Sequence, residues 1–425
     1  MKKFTFLSVV LMTVFAQQEA GAKKVKIYPD GPDGAVYTID TSTKTAVFDQ
    51  LSDPFDSKWK SSVTVPSKVK YDGVTYTVTT LGECAFLSCP TKKVTLPSTL
   101  TKIGESAFEQ MKNLKSLTIP SGVKSIGSAC FAFSAIETVN IPATVTVIGK
   151  QAFLQSNLKK ITFAKPKTEL IIRANVFQGC KKLTSITFPE GVTSIGESAL
   201  EDCDNLTTVV FPSTLAAIPT WCLIGDAKLT SVTIPRGVTS VGKGALRATG
   251  LTSVSFPASV KTLGEGVLAY TPLTSVVLPA GLTAIPVEAF DHCASLPQID
   301  IPASVTSIGN NAFAGCTKLF KISSANPTPP VLGAQCFSKE SITSATLLLP
   351  AGSFDRYRVA AVWKEFWWFV SMGVDDTGAD SDLTDRPVRY YDLQGNLMDA
   401  DDTLLLPPGI YIRRQGGQAT KILVR

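Results

Sequence analysis

The most restrictive feature of this chain is a unit that repeats along it. Residues 114–131, LKSLTIPSGVKSIGSACF, return as LTSITFPEGVTSIGESAL at 183–200 and as LTSVTIPRGVTSVGKGAL at 229–246. The aromatic residue or leucine that closes each unit falls at Phe86, Phe108, Phe131, Phe153, Phe177, Leu200, Leu223, Leu246, Leu268, Phe290, Phe313 and Phe337, in steps of 22 to 24 residues. A period of this size means that each unit is one supersecondary element that cannot cover its own apolar face, so the units must stack and share a core.

Within a unit, apolar residues two apart (Ile186 and Phe188) precede a proline in most copies, as at Pro97, Pro120, Pro189, Pro235 and Pro302. That pattern predicts a short strand with a stop, because proline has no amide hydrogen for the ladder and fixes its own φ. A turn follows, often with glycine (Gly122, Gly191, Gly237), and the Ile-Gly and Ala-Phe pairs then return the chain across the back. The prediction is a right-handed solenoid with one parallel strand per unit. Two units depart from the pattern, at 161–167, which lacks the proline, and at 322–337, which carries Pro327, Pro329 and Pro330; irregularity is expected there.

Met1-Lys-Lys followed by an apolar run to Phe15 reads as a secretory signal peptide over residues 1–22, cleaved after Ala16 or Ala22 so that the mature chain starts at Gln17 or Lys23. That run is too short for a membrane span, and no other segment is long and apolar enough for one. Residues 23–80 are expected to form an N-terminal β cap, with 36–39 and 45–48 alternating like a hairpin and 63–65 and 76–78 flanking the turn signal Asp72-Gly73. Residues 81–374 are expected to hold the solenoid and a helical, aromatic C-terminal cap. In it, a helix ending at Trp363, Phe366, Trp367, Trp368 and Phe369 acts as a lid or, in the alternative, exposes a binding patch. The acidic stretch 375–384 reads as a linker and lacks the spacing of an EF-hand calcium loop. Residues 385–425 are expected to form a small β domain of three or four strands.

The unit Leu-x-x-Ile-x-Ile-Pro-x-x-Val-x-x-Ile-Gly-x-x-Ala-Phe-x-x-Cys resembles the BspA-like leucine-rich repeat of bacterial surface proteins over residues 81–337. The tail 385–425, with Tyr390-Tyr391, Gly409-Ile-Tyr-Ile412 and a basic-apolar ending, resembles a type IX secretion sorting domain; a plain β tail is the alternative. The resemblances imply a secreted or outer-surface protein of a Gram-negative bacterium that adheres through protein partners, namely host matrix or bacterial surface proteins.

Candidate chemistry is sparse. The formal charge of +6 is spread thinly, with basic runs no longer than pairs such as Lys92-Lys93, so no nucleic-acid partner is implied. A single histidine, His292, leaves little for a His-based metal site or nucleophile, and no cofactor and no enzyme activity are expected. His292 precedes Cys293, but adjacent side chains point apart and the repeat phase puts Cys293 in the core. The nine cysteines largely follow the repeat: Cys89, Cys180, Cys203, Cys293 and Cys316 sit three residues after the landmark, Cys130, Cys222 and Cys336 just before it. Such positions suit small buried hydrophobes. Export would permit disulfides instead, with Cys180–Cys203 and Cys293–Cys316 as the first pairs to consider.

The open strand face is where a ligand is expected. Side chains alternate along a strand, so the residues flanking each buried apolar position line that face. They include Thr95, Ser116, Thr118, Asn140, Thr162, Ser185, Thr187, Ser231, Thr233 and Ser255. Small hydroxyls also suit a strand for its own sake, and Val210 and Val277 interrupt any water-ordering ladder. The reading is a binding or adhesion surface; the alternative is carbohydrate capture, or service to a secreted enzyme. A glycan binder should expose aromatics, and these columns have none.

Overall fold

A computed structural model describes residues 24–27, 34–51, 61–366 and 368–372, and the strands at 389–391, 397–398, 409–415 and 418–424. The expected signal peptide (1–22) and linker (375–384) lie outside the described residues. Two compact units divide the chain, Met1–Asp204 and Asn205–Arg425. Each is a β-solenoid.

In the first unit, Ala35–Asp40 and Thr45–Leu51 pair antiparallel, with Tyr37 opposite Phe48, as the alternation predicts. The hairpin at Asp72-Gly73 also forms, but its first arm is Lys68–Tyr71, not residues 63–65. Ser62–Thr64 instead pairs parallel with Lys93–Thr95. Valine at 63, 65 and 69 is buried in either arrangement, so hydrophobic pattern alone does not pick the arm next to the turn.

The coils carry two strand ladders where one was expected. Ser116–Leu117, Thr138–Ile141 and Lys160–Phe163 pair in parallel on the open face. On the back, Val74–Leu81, Lys102–Ile103, Ser125–Ile126, Val147–Ile148, Leu170–Ile172 and Val192–Ile195 form a second parallel ladder. Three of these six back strands are two residues long, too short to show an alternation in sequence. The unit at 161–167 is regular on the open face; its irregularity falls on the back ladder, where the register shifts between Leu170 and Ile171. In the second unit the open-face pairs are Ser253–Ser255 with Ser275–Val277, and Gln298–Ile301 with Lys321–Ser324 and then Thr346–Pro350. Residues 231–235 form no strand.

Ile-Gly closes the back strand for a steric reason. A Cβ on Gly127 would lie 2.4 Å from the carbonyl carbon of Gly104, and one on Gly264 would lie 2.3 Å from the amide nitrogen of Lys243, distances no side chain tolerates. Glycine lets backbones of successive coils touch.

The third side is a series of turns around the landmark. Its amides bond forward to the next coil, Phe108 to Cys130 (2.8 Å) and Leu246 to Val267 (3.0 Å), whereas back-ladder amides such as Gly127 to Ile103 (2.9 Å) bond backward. Two residues per turn, two before and two after the landmark, take left-handed backbone, as at Ser106 and Gln110 (φ 51° and 57°) and at Glu288 and His292 (φ 56° and 55°). Each costs an L-residue roughly 1–2 kcal/mol, which favours glycine, asparagine and small polar residues there.

The landmark side chains fill the core. In the first unit, Phe48, Phe86, Phe108, Phe131, Phe153 and Phe177 stack with centroid distances from 5.1 to 5.5 Å. In the second, Leu223, Leu246 and Leu268 hold the column before Phe290, Phe313 and Phe337. Beyond Phe337 the expected helix does not run to Trp363. A helix at Phe354–Val359, a turn of 3-10 helix at Trp363–Glu365 and a strand at Trp368–Met372 replace it. Trp363 and Phe366 are buried against Phe337 at 5.8 and 5.4 Å, with the Trp363 indole donating to the Pro330 carbonyl at 2.7 Å. The C-terminal strands form an antiparallel sheet in the order 397–398, 389–391, 409–415, 418–424.

Candidate binding face

The open face keeps strict alternation. Ser116, Thr138 and Lys160 are exposed and stand opposite one another, while Leu117, Val139 and Ile161 between the columns are buried. Asn140 and Thr162 are likewise opposite, and the Thr162 hydroxyl donates to Asn140 Oδ1 at 3.0 Å. Thr95, Thr118, Ser185 and Thr187 are exposed in the same unit. In the second unit Ser255 lies opposite Val277, and Ser231 and Thr233 are exposed although their segment makes no ladder. The expected face residues are thus in solvent, with their aliphatic neighbours turned inward. The face of the first unit is edged by charge. Lys159 bonds Glu137 at 2.8 Å with Lys115 at 3.9 Å, and the Lys159 hydrogen bond holds the Glu137 carboxyl below its ordinary range.

Hydroxyls beyond the strands have other work. Thr99 donates to the Val78 carbonyl, Thr144 to Val123 and Ser259 to Val238, at 2.6 to 2.7 Å, each tying one coil to the one before. The cysteines do the same from inside. All nine are free thiols, eight of them buried and Cys84 exposed. Cys180 donates to the Phe153 carbonyl (3.1 Å), Cys203 to Phe177 (3.2 Å), Cys293 to Leu268 (3.2 Å) and Cys316 to Phe290 (3.1 Å). Ser134 and Thr249 fill the same position with bonds to Phe131 and Leu246. Burial pushes the Cys180 thiol up to about 12 and the Cys293 thiol up to about 11, so neither is a thiolate at neutral pH. Cys293 points into the core while the adjacent His292 ring lies outside, its Nδ1 2.7 Å from Asp291 Oδ1.

Columns read along the strands missed the turn side, where two exposed aromatics of the second unit stand; a third, Phe320, immediately precedes the open-face strand Lys321–Ser324. Trp221 is 38% exposed and Tyr270 47% exposed, and the Tyr270 ring stacks on His292 at 4.7 Å with 6° between planes. The signal was in the sequence: Trp221 sits two residues before its landmark, where other coils place residues such as Ser106, Ala129, Asn175 or Asn311.

Comparison with known proteins adds the family. The family described as BspA type leucine rich repeat region (6 copies) matches residues 66–171, 166–272 and 262–355. Among solved structures, a leucine-rich repeat protein from Bacteroides ovatus is similar at 23% identity and a TM-score of 0.50, over 81% of this chain and 100% of that one. The pneumococcal vaccine antigen PcpA is similar at 18% identity and a TM-score of 0.52, over 86% of this chain and 100% of that one. These two likenesses support the solenoid fold. No curated protein sequence matches the chain. Among the described residues, no helix is long and apolar enough to cross a membrane. With the family matched over most of its length and the same fold in solved relatives, this chain belongs to the BspA-type leucine-rich repeat family.

Proposed function

We propose that the chain is an exported surface protein that adheres to protein partners, host matrix or bacterial surface proteins, through the open strand face. The observation that supports this reading is the alternation at Ser116 to Thr118, Ser185 to Thr187 and Ser253 to Ser255, where two exposed side chains flank one turned inward. Such a face offers many shallow contacts rather than one deep pocket, as suits a broad protein epitope. Export fits the N-terminal residues 1–22, and the C-terminal residues 385–425 fit a sorting role in a Gram-negative host. Leucine-rich repeat proteins are the relatives found, and no reaction is proposed.

The experiment is a triple charge change, Thr118→Glu, Thr187→Glu and Thr233→Glu, which leaves the inward columns untouched. Three added carboxylates on one face repel one another, so folding is confirmed by circular dichroism before binding is measured. The folded variant should lose adhesion to matrix-coated surfaces and to bacterial cells. Wild-type adhesion would move the binding role off this face.

A further inference from the structure

We propose that the turn side of the second unit is a saccharide-binding site that takes a neutral pyranose. This site is separate from the strand face and does not rest on the adhesion reading. It begins with Trp221. Left-handed backbone in a bulky residue is an outlier that packing does not select, and Trp221 has φ 52°. Its indole lies outside the core column and is 38% exposed, so neither backbone preference nor core packing accounts for it.

The next two coils place glycine in the same column, and the neighbouring side chains use the space. The indole lies against Gly244, where an added Cβ would come 2.7 Å from Trp221 Cδ1, and the Arg247 guanidinium lies 3.0 Å from the position of a Cβ on Gly266. Between them is a half-open cavity of about 280 Å³. Trp221 and Ile224 give it an apolar wall, and Lys243, Arg247, Glu265 and Glu288 give it polar groups. That volume is just under the roughly 300 Å³ at which ligand sites begin, so the cavity suits a small ligand.

The polar groups are paired with one another at the surface. Lys243 bonds Glu265 at 2.5 Å, and Arg247 lies 3.6 Å from Glu288. Arg247 also sits 4.7 Å over the Tyr270 ring, which rests on His292, itself fixed by Asp291. A cation over an aromatic face is attracted to it, so the guanidinium is oriented at little further entropy cost.

The chemistry selects the ligand class. A pyranose has an apolar face of C–H groups, which suits an exposed indole, and a rim of hydroxyls that both donate and accept. Glu265 and Glu288 accept from such hydroxyls, and Lys243 and Arg247 donate to them. Two cations and two carboxylates leave the cavity with no net charge, so it gives an anionic sugar no advantage over a neutral one. Glycan recognition predicts exposed aromatics, and Trp221 and Tyr270 are two that stand together on the turn side.

The test uses the full chain with lactose, maltotriose and mannobiose as neutral probes and 3′-sialyllactose as the anionic one, read by saturation-transfer NMR and calorimetry. At least one neutral sugar should bind at millimolar concentration, and sialyllactose should bind no tighter than lactose. Trp221→Ala should weaken binding about tenfold or more, and Glu265→Gln, which keeps the shape, should weaken it as well. Trp221→Phe should retain part of the affinity, and Thr118→Glu should leave it unchanged. Absence of binding by all three neutral sugars, wild-type affinity in folded Trp221→Ala, or tighter binding of sialyllactose would each overturn the proposal.

Discussion

The first unit stacks phenylalanine on phenylalanine from Phe86 to Phe177, whereas the second begins with Leu223, Leu246 and Leu268 and regains the ring only at Phe290. Both columns are fully buried, and the amide of the landmark still bonds the next coil, at 2.7 Å from Phe131 to Ala152 and at 3.0 Å from Leu246 to Val267. Inter-coil backbone bonds therefore set the stacking, and the landmark fills the space they leave. Of the coils with leucine inside, those of Leu223 and Leu268 place Trp221 and Tyr270 on the turn side, whereas those of Leu200 and Leu246 place no aromatic at these turn positions.

Emptying the column in each unit tests which force organises it. Phe131→Ala should cost about 3–5 kcal/mol and Leu246→Ala about 2–5 kcal/mol in urea unfolding, because each leaves a buried cavity. Phe131→Leu should cost less than about 1.5 kcal/mol, since leucine already serves at 246. If Phe131→Leu were as damaging as Phe131→Ala, ring stacking would be the organising force in the first unit. Next in size is the back-ladder glycine. Gly127→Ala and Gly264→Ala should each cost about 1–3 kcal/mol by overpacking, and a neutral result in either would show that coil spacing there can open.

Two buried thiols bear on stability in alkali. Burial keeps the proton on both in the fold beyond the ordinary value of 9.0, to about 12 for Cys180 and about 11 for Cys293. Above pH 9 the unfolded chain therefore binds fewer protons than the folded one, and stability falls as pH rises through the folded values. The loss attributable to Cys180 should extend to higher pH than that attributable to Cys293, as read from Cys180→Ala and Cys293→Ala against wild type in alkaline unfolding. Thiol counting in denaturant without reductant should find at least five of the nine cysteines free. Only one free thiol would mean four disulfides and would overturn the packing role. The smallest expected effect is Thr118→Ala, within about 0.5 kcal/mol of wild type because its side chain is in solvent.

These differences also show what a sequence can carry. The repeat and the inward position of Leu117, Val139 and Ile186 were legible because burial imposes a period on residue type. The back ladder was not, since Ser125-Ile126 and Val147-Ile148 are pairs, and two residues cannot display alternation. The hairpin arm at 68–71 was missed for a related reason: Val63 and Val69 are both buried, and only pairing distinguishes them. On the open face, exposure of Thr118 and Thr187 followed from strand geometry, but nothing in a threonine says what it touches. Trp221 was hidden by reading columns along strands alone, although its oddity among small residues was visible.

The forward bonding of the turn side has a consequence for how such genes change. Each coil offers its successor the same row of amide donors and receives from it the same row of carbonyls, as Phe290 does from Ala312 and Phe313 from Cys336. Any coil therefore presents a socket that any other coil can plug into, and unequal recombination that adds or drops one whole repeat leaves both new neighbours correctly bonded. A deletion of a few bases within a coil has no such refuge. Lineages of this protein should vary by counting in whole coils, with length a heritable quantity that comes in steps of about one repeat.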